Sequence, residues 1–130
     1  MDFSVSYQEH YVRVRIFGEV TTTEVIAVVD DLVADGRYLS YANTMWDMSE
    51  AKPKVSFRGE GVRAVVQHIR RSKPATVERP LRTAFLVSSA VGYGLCRMAM
   101  FFSNDDPHRE LDVFMDFENA SSWLTQEQAA

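Results

Sequence analysis

The sequence has a single cysteine, Cys96, so it cannot form an internal disulfide bond. Nothing else in it suggests an oxidising compartment. No apolar run approaches the roughly 20 residues that a membrane-spanning helix needs. The first residues also lack the basic segment and long apolar segment of a secretory leader. We therefore expect a cytoplasmic protein without a transmembrane segment.

Motifs for catalysis and for phosphate or metal binding are also missing. There is no Walker loop and no Gly-x-Gly-x-x-Gly pattern. His10, His68 and His108 have no serine or cysteine nearby in a recognisable nucleophile setting. Asp105-Asp106-Pro107-His108 (residues 105–108) offers metal-ligand types, but no second cluster completes a shell, so a solvated turn is favoured. We expect no catalytic residues, no bound metal and no cofactor.

Apolar residues make up 46% of the 130 positions and charged residues 25%, which is typical of one globular domain over residues 1–130. The net charge of −4 is unevenly distributed. Residues 52–82 hold nine basic and two acidic side chains, a net +7. This segment forms either an anion-facing patch or simply a solvated surface, and the second is favoured. Binding of nucleic acid through Arg63, Arg70 and Arg71 is a minor alternative that would show as salt-dependent affinity.

Alternating side chains predict two half-buried strands at residues 3–7 and 11–17, joined as a hairpin. A helix follows, with Thr21 and Glu24 as a capping box and Gly36 as its left-handed end. Its inner stripe is Val25, Val28, Val29, Leu32 and Val33.

The rest of the chain alternates strands and helices. Residues 44–48 predict a strand, 49–55 a polar loop, and a second helix begins near Ser56 with Val62, Val65, Val66 and Ile69 inside. Residues 82–88 predict a central parallel strand. A third helix follows Gly92 with Leu95, Met98, Ala99 and Phe102 inside, and residues 104–107 end it. The last strand spans 111–117, and Asp116 or Glu118 begins a short helix that buries Ala120, Trp123 and Leu124.

This order predicts an α/β fold with a mostly parallel mixed sheet, an antiparallel edge hairpin and about four helices. Ligands of such sheets bind at the carboxyl ends of the strands.

Segments along nearly the whole chain carry a resemblance to a known group. They are residues 14–21, 46–48, 82–87, 93–98, 113–114 and 120–124. In this order they resemble the STAS-like proteins, specifically the SpoIIAA-like group, which is also similar in fold to CRAL-TRIO lipid-transfer domains. The resemblance implies a small α/β sandwich that binds proteins or apolar ligands and performs no chemistry.

One departure from that group concerns regulation. Its anti-sigma-factor antagonists carry Asp-Ser-Ser-Gly, or Thr in place of one Ser, after the strand that residues 46–48 end, and a serine there is phosphorylated. This chain has Lys-Val-Ser-Phe-Arg-Gly at 54–59, so the motif is absent. Ser56 lies near the equivalent place, where a phosphate at a helix N-terminus would be stabilised. A plain N-cap role for Ser56 is favoured.

A ligand site is expected at the carboxyl ends of the strands. Ser88 and Ser89 precede a glycine-containing helix start at Gly92 and Tyr93, where free backbone N–H groups can hold an anion. The glycines alternatively serve only the turn. Trp46, Ser56 and Phe57 are expected beside the same pocket. The candidate ligand-binding residues are Trp46, Ser56, Phe57, Ser88, Ser89, Gly92 and Tyr93.

The third helix has more apolar surface than one inner stripe needs. Tyr93, Arg97, Met100 and Phe101 share a second face by their spacing. Aromatic, methionine and arginine side chains are typical of an interface core, and the alternative is a helix buried all round.

These observations predict a non-catalytic binding or regulatory module that acts through protein contacts and self-associates through the third helix. The alternative is a carrier of an apolar or amphipathic small molecule in a pocket between sheet and helices. A small hydrolase or isomerase is the least favoured class, because no acid–base pair can be named.

Overall fold

A computed structural model describes residues 1–126. Five strands, four α-helices and a short 3₁₀ turn follow one another in this part of the chain. They are β1 (Asp2–Tyr7), β2 (Val12–Val20), α1 (Thr22–Asp35), the 3₁₀ turn (Tyr38–Ser40), β3 (Asn43–Pro53), α2 (Gly59–Ser72), β4 (Leu81–Leu86), α3 (Ala90–Phe102), β5 (Arg109–Phe114) and α4 (Phe117–Thr125). None of these helices is long and apolar enough to cross a bilayer.

The strands lie in the sheet in the order of the sequence, from β1 to β5. β1 and β2 form an antiparallel hairpin, and each later strand pairs in parallel with its predecessor. Because parallel crossovers share one hand and the sheet grows in one direction, α1, α2 and α3 fall on the same face. The predicted mixed sheet with an antiparallel edge hairpin and four helices is confirmed.

The sheet has an apolar core on each face. On one face, β2 residues Val12, Val14 and Ile16 pack with the inner stripe of α1 and with Trp46. A smaller cluster continues this layer between α2 and α3. On the other face, Ala120 and Leu124 of α4 pack against strands β3 and β4. The alternation of side chains along each strand therefore supplies both layers.

Helix α1 agrees closely with its sequence pattern. Thr21 accepts a hydrogen bond from the Glu24 amide, and the Glu24 carboxylate accepts one from the Thr21 amide, which is the predicted capping box. Gly36 ends the helix with φ of 79°, a left-handed conformation that glycine adopts without strain.

Strand β3 is longer than predicted, so the expected polar loop at residues 49–55 is wrong. After an irregularity between Arg15 and Phe17, β3 continues to Pro53 by pairing with residues 17–20 of β2. This extension has β2 as its only strand neighbour, because pairing of β3 with β4 ends at Asp47. A strand with one strand neighbour tolerates charged side chains and a terminal proline. In the sequence the same residue types favour a loop, so the extension was not predicted.

Helix α2 begins at Gly59 with Arg58 as its N-cap residue, so the predicted start at Ser56 is wrong. The Phe57 amide donates to the Lys54 carbonyl oxygen at 2.8 Å. That bond closes a turn with Val55 and Ser56 at its corner. Ser56 is therefore exposed in a turn and makes no cap hydrogen bond.

Helix α3 begins at Ala90 and not after Gly92, so it starts three residues earlier than predicted. Ser89 is its N-cap, and the Ser89 Oγ accepts from the Gly92 amide at 3.0 Å. Gly92 lies within the first turn, where a Cβ would come within 3.3 Å of the Val87 side chain. The glycine thus permits close packing of this turn on the end of β4.

The inner stripe of α3 is also rotated from the prediction. Cys96 and Ala99 are its buried residues, whereas Met98 is 38% exposed. Leu95 and Phe102 are half-buried. The predicted inward position of Met98 is therefore wrong.

The last strand spans Arg109–Phe114 and ends earlier than the predicted 111–117. Asp116 then caps α4 by accepting from the Glu118 amide at 3.0 Å. Ala120 and Leu124 are buried as expected, and Trp123 is half-buried against Phe114.

Lys73, at the C-terminal end of α2, is a buried cation. Its Nζ donates to the Tyr38 carbonyl oxygen at 3.1 Å and lies 3.8 Å from the centre of the Tyr38 ring. Among the described residues no carboxylate pairs with it. Burial, together with the charges of Arg79 and Arg109, lowers the pKa of Lys73 to about 7.

Ser89, which caps α3, and Ser56, which lies in the turn before α2, should differ in their contribution to stability. Ser89→Ala removes the cap of α3 and should lower the free energy of unfolding by about 1 kcal/mol. Ser56→Ala, the matched control, should change it by less than about 0.5 kcal/mol. Urea unfolding of both variants measures this, and a larger loss for Ser56→Ala would contradict the observed caps.

Stability should rise with pH above neutrality because of Lys73. Its pKa is about 7 in the folded chain against an ordinary 10.5, so the unfolded chain binds more protons between these values. Lys73→Met should therefore remove a slope of up to about 1 kcal/mol per pH unit. Denaturant unfolding at pH 7, 8 and 9 measures the slope, with the exposed Lys52→Met as the control. Parallel curves for wild type and Lys73→Met would refute this role.

Candidate functional site

An apolar pocket lies between the sheet and helices α2 and α3, with a volume of about 100 Å³. Four of the predicted ligand-binding residues line it: Trp46 from β3, Phe57 from the turn before α2, Ser89 at the start of α3, and Gly92 in its first turn. The turn and the helix start belong to the carboxyl end of the parallel strands. The pocket is therefore at the end of the sheet where ligand sites of open α/β sheets are found.

The other three predicted ligand residues do not line this pocket. Ser56 borders a separate shallow depression beside Glu19 and Lys54. The Ser88 hydroxyl is exposed and donates to the Ser49 carbonyl oxygen at 2.6 Å. Tyr93 is 39% exposed on α3. The predicted set of seven is thus divided among a pocket, a turn and a helix surface.

Most residues that line the pocket are predicted from the sequence as core residues and not as ligand-binding residues. The inner stripe of α2 forms one side, and Leu95, Cys96 and Ala99 of α3 form another. Hydrophobic periodicity identifies these residues as buried but does not show where packing is incomplete. The available signal was the small size of Ala51, Gly92 and Ala99, which lie around one space.

The pocket is electrically neutral. None of its lining side chains is charged, among the residues that the structure describes. Burial raises the pKa of the Cys96 thiol to about 12, so this side chain stays protonated and is a poor nucleophile at neutral pH. The site can accommodate apolar groups but offers no ionic partner for an anion.

The outward face of α3 is the second candidate site. Val91 and Phe101 are 64% and 68% exposed, and Tyr93 and Met98 nearly 40% each. Of the predicted interface residues, Tyr93, Arg97 and Phe101 are exposed, whereas Met100 is half-buried. The sequence analysis missed Val91 and placed Met98 inside. We define the α3 face as Val91, Tyr93, Met98 and Phe101.

The basic segment at 52–82 does not form one continuous patch. Arg70 pairs with Asp105 at 3.0 Å, and Arg82 pairs with Glu110 at 3.1 Å. Arg79 donates to backbone carbonyl oxygens of residues 39 and 41, and Lys73 is buried. These cations serve the fold, which weakens the case for an anion-facing surface.

Arginines also flank the α3 face. The guanidinium of Arg63, on the exposed side of α2, lies 4.8 Å from the centre of the Phe102 ring. Arg97 is exposed on α3. Neither takes part in an ion pair with a described residue. Two exposed arginines without ion-pair partners among the described residues therefore lie beside the apolar side chains of α3.

The histidines and acidic residues have ordinary structural contacts. His68 Nε2 lies 2.6 Å from Asp30 Oδ1, which links α2 to α1. Asp105 pairs with Arg70, and Asp106 with Arg109. Within residues 1–126, no three His, Cys, Asp or Glu side chains are grouped as metal ligands would be.

One buried carboxylate, Asp47, lies on the α4 face of the sheet. Burial alone would raise its pKa, but hydrogen bonds from Ser49 and from the Arg13 guanidinium hold the pKa below its usual value. Asp47 is thus an ionised partner of Arg13 that joins β3 to β2. Its contacts account for its charge without a catalytic role.

Similarity to known proteins is found in structure and not in sequence. No family model matches the sequence, and no curated protein matches it at a significant level.

Three solved structures are similar over nearly the whole length. An uncharacterised DUF3478-family protein with a SpoIIAA-like fold, from Shewanella loihica PV-4, has a TM-score of 0.60 at 14% identity, covering 95% of this chain and 92% of that one. An anti-sigma factor antagonist from Mycobacterium paratuberculosis scores 0.57 at 12% identity, covering 96% and 94%. The unphosphorylated anti-sigma factor antagonist SpoIIAA scores 0.54 at 16% identity, covering 95% and 97%. The chain thus has an α/β SpoIIAA-like fold, as its sequence predicts.

Proposed function

We propose that the chain is a non-catalytic regulatory module that binds another protein through the α3 face. The observation that carries this proposal is the exposure of four large apolar side chains on one helix. Contiguous apolar surface on a folded protein marks interaction sites, because its exposure to water is unfavourable. We place this contact in the cytoplasm.

The composition of the α3 face supports a protein partner. Aromatic, methionine and arginine side chains are enriched in interface cores, and α3 exposes Tyr93, Phe101, Met98 and Arg97. A standard interface buries roughly 800 Å² on each partner, which exceeds what one short helix supplies. The α3 face would therefore be the centre of the interface, and α2 would contribute to its edge.

The charge around the α3 face favours one kind of partner. Arg63 and Arg97 are exposed without ion-pair partners among the described residues, so a complementary surface has carboxylates around an apolar centre. A symmetric dimer through α3 would set two such arginine edges against each other. We therefore favour a different, acidic protein over the second copy that the sequence analysis expects.

Two of the similar structures agree with this proposal. They are named as antagonists of anti-sigma factors, which are proteins. The serine motif associated with that group is absent here, and Ser56 lies in a turn rather than at a helix start. We therefore propose contact with a protein but not the same partner or a switch at Ser56.

The non-catalytic part of the proposal is supported by the state of the reactive side chains. The Cys96 thiol is buried with a raised pKa, and His68 is engaged with Asp30. Among the described residues, the side chains that line the apolar pocket include no charged group that could act as acid or base.

Substitution of Phe101 should abolish binding of the partner. Phe101→Glu puts a charge at the centre of the apolar contact and should weaken binding at least tenfold. Arg97→Glu should mainly slow association and reverse its salt dependence. Quantitative capture from extracts of the source cells, analysed by mass spectrometry, measures both effects.

Val77→Glu is the matched control, because Val77 is 71% exposed on the loop before β4. It should capture the same protein as wild type. Equal capture by Phe101→Glu and wild type would refute the α3 face as the contact. Sedimentation velocity should show a monomer, and a concentration-dependent dimer that Phe101→Glu abolishes would identify a second copy as the partner.

Carriage of an apolar small molecule is the second candidate function, and the apolar pocket favours it. Protein purified gently from its source cells should then show extra bound mass in native mass spectrometry, and organic extraction should remove it. A chain that is free of bound mass when isolated in this way would contradict carriage.

A further inference from the structure

We infer that the pocket between the sheet, α2 and α3 is a binding site for one uncharged apolar group, an aromatic ring or a short branched hydrocarbon end. This inference deepens the second candidate function by naming the part of the ligand that is bound. It does not depend on the protein contact at the α3 face.

The chemistry of the wall selects against charge. The stripe of α2 and the side chains of Trp46, Phe57 and Phe85 provide apolar and aromatic surface, and no lining side chain among the described residues is charged. An ionised group placed there would lose its hydration without gaining a partner. The wall therefore accepts hydrocarbon and aromatic groups and rejects carboxylates and phosphates.

The size of the pocket limits the ligand further. Its volume is about 100 Å³. An engineered apolar cavity of about 150 Å³ in another protein holds one benzene molecule. Because this pocket is smaller, it encloses at most one ring or a few methyl groups and cannot enclose a long lipid chain.

The opening of the pocket determines where the rest of a ligand lies. Ser89 is the exposed lining residue and lies at the carboxyl end of the parallel strands, and we place the opening there, next to Phe57 and Gly92. A larger molecule would insert its apolar end between these residues and leave any polar part in water. Amphipathic ligands are thus compatible with the site only in this orientation.

The pocket arises from small side chains that leave space in the layer. Ala99 of α3 and Ala51 of β3 have small side chains and both line the pocket. The atoms that line such a space lack dispersion partners on one side. An apolar ligand supplies those partners, so binding should stabilise α3 in particular.

Benzene is the test ligand, and inorganic phosphate is the anion control. In ¹⁵N-resolved NMR spectra, benzene should shift amide signals of α2, α3 and the end of β3, with a Kd of about 0.1–1 mM for so small a molecule. Phosphate should leave these signals unchanged. Phosphate shifts at the start of α3 without benzene shifts would overturn the inference and support the anion alternative.

Filling the pocket should prevent binding. Ala99→Leu places a larger side chain in the space and should weaken benzene binding at least tenfold. Ala27→Leu makes the same change at an exposed position of α1 and should bind as wild type does. Cys96→Leu fills the pocket from a different position, so it provides the test if Ala99→Leu does not fold. Benzene shifts of wild-type size in a folded filled variant would overturn the inference.

The outcomes separate this site from the proposed functions. If benzene binds to wild type and not to the filled variants, the pocket is a binding site. This holds even if protein isolated from cells has no bound mass, because that result would contradict only carriage of a small molecule. Failure of benzene to bind removes both the pocket and carriage. Neither result affects the conclusion drawn from protein capture by Phe101→Glu.

Discussion

Helix α2 approaches the start of α1 closely and, on its other side, borders the apolar pocket. A Cβ at position 61 would overlap the Thr22 hydroxyl, so Gly61 is required for this contact as it stands. With α2 set in this way, Val62 and Val66 reach α3 and the sheet, and the pocket lies beside them. The neighbouring helix α3 then covers the remaining side of the pocket and presents its other side to solvent.

The arrangement of the sheet was predictable because its causes are local. Alternation in β2 and the periods of α1 and α2 specify which side chains are buried, and the alternation of strands and helices predicts a mostly parallel sheet. The capping box at Thr21 and the left-handed Gly36 were predictable for the same reason. Each depends on residues within a few positions of one another.

Most errors occur where a distant contact outweighs the local pattern, and the error at Ser56 occurs where a competing local turn does. Residues 50–53 resemble a loop, but pairing with β2 extends β3 through them. Ser56 has the chemistry of an N-cap, but a turn closed between Lys54 and Phe57 takes it out of reach of α2. The separation of Ser88 and Tyr93 from the pocket depends likewise on packing that only the assembled layers determine.

In helix α3 the buried apolar side chains are small and the exposed ones are large, which is the reverse of the usual arrangement. Its buried residues, Cys96 and Ala99, are small, whereas Met98 and Phe101 are large and exposed. A prediction based on bulky apolar residues therefore places Met98 in the core. It also overestimates how much of the core this helix fills. The same reversal has two physical consequences: small residues inside leave the pocket, and large residues outside create the α3 face. One feature of the sequence thus accounts for both candidate sites, and substitutions can separate them because they lie on opposite sides of the helix.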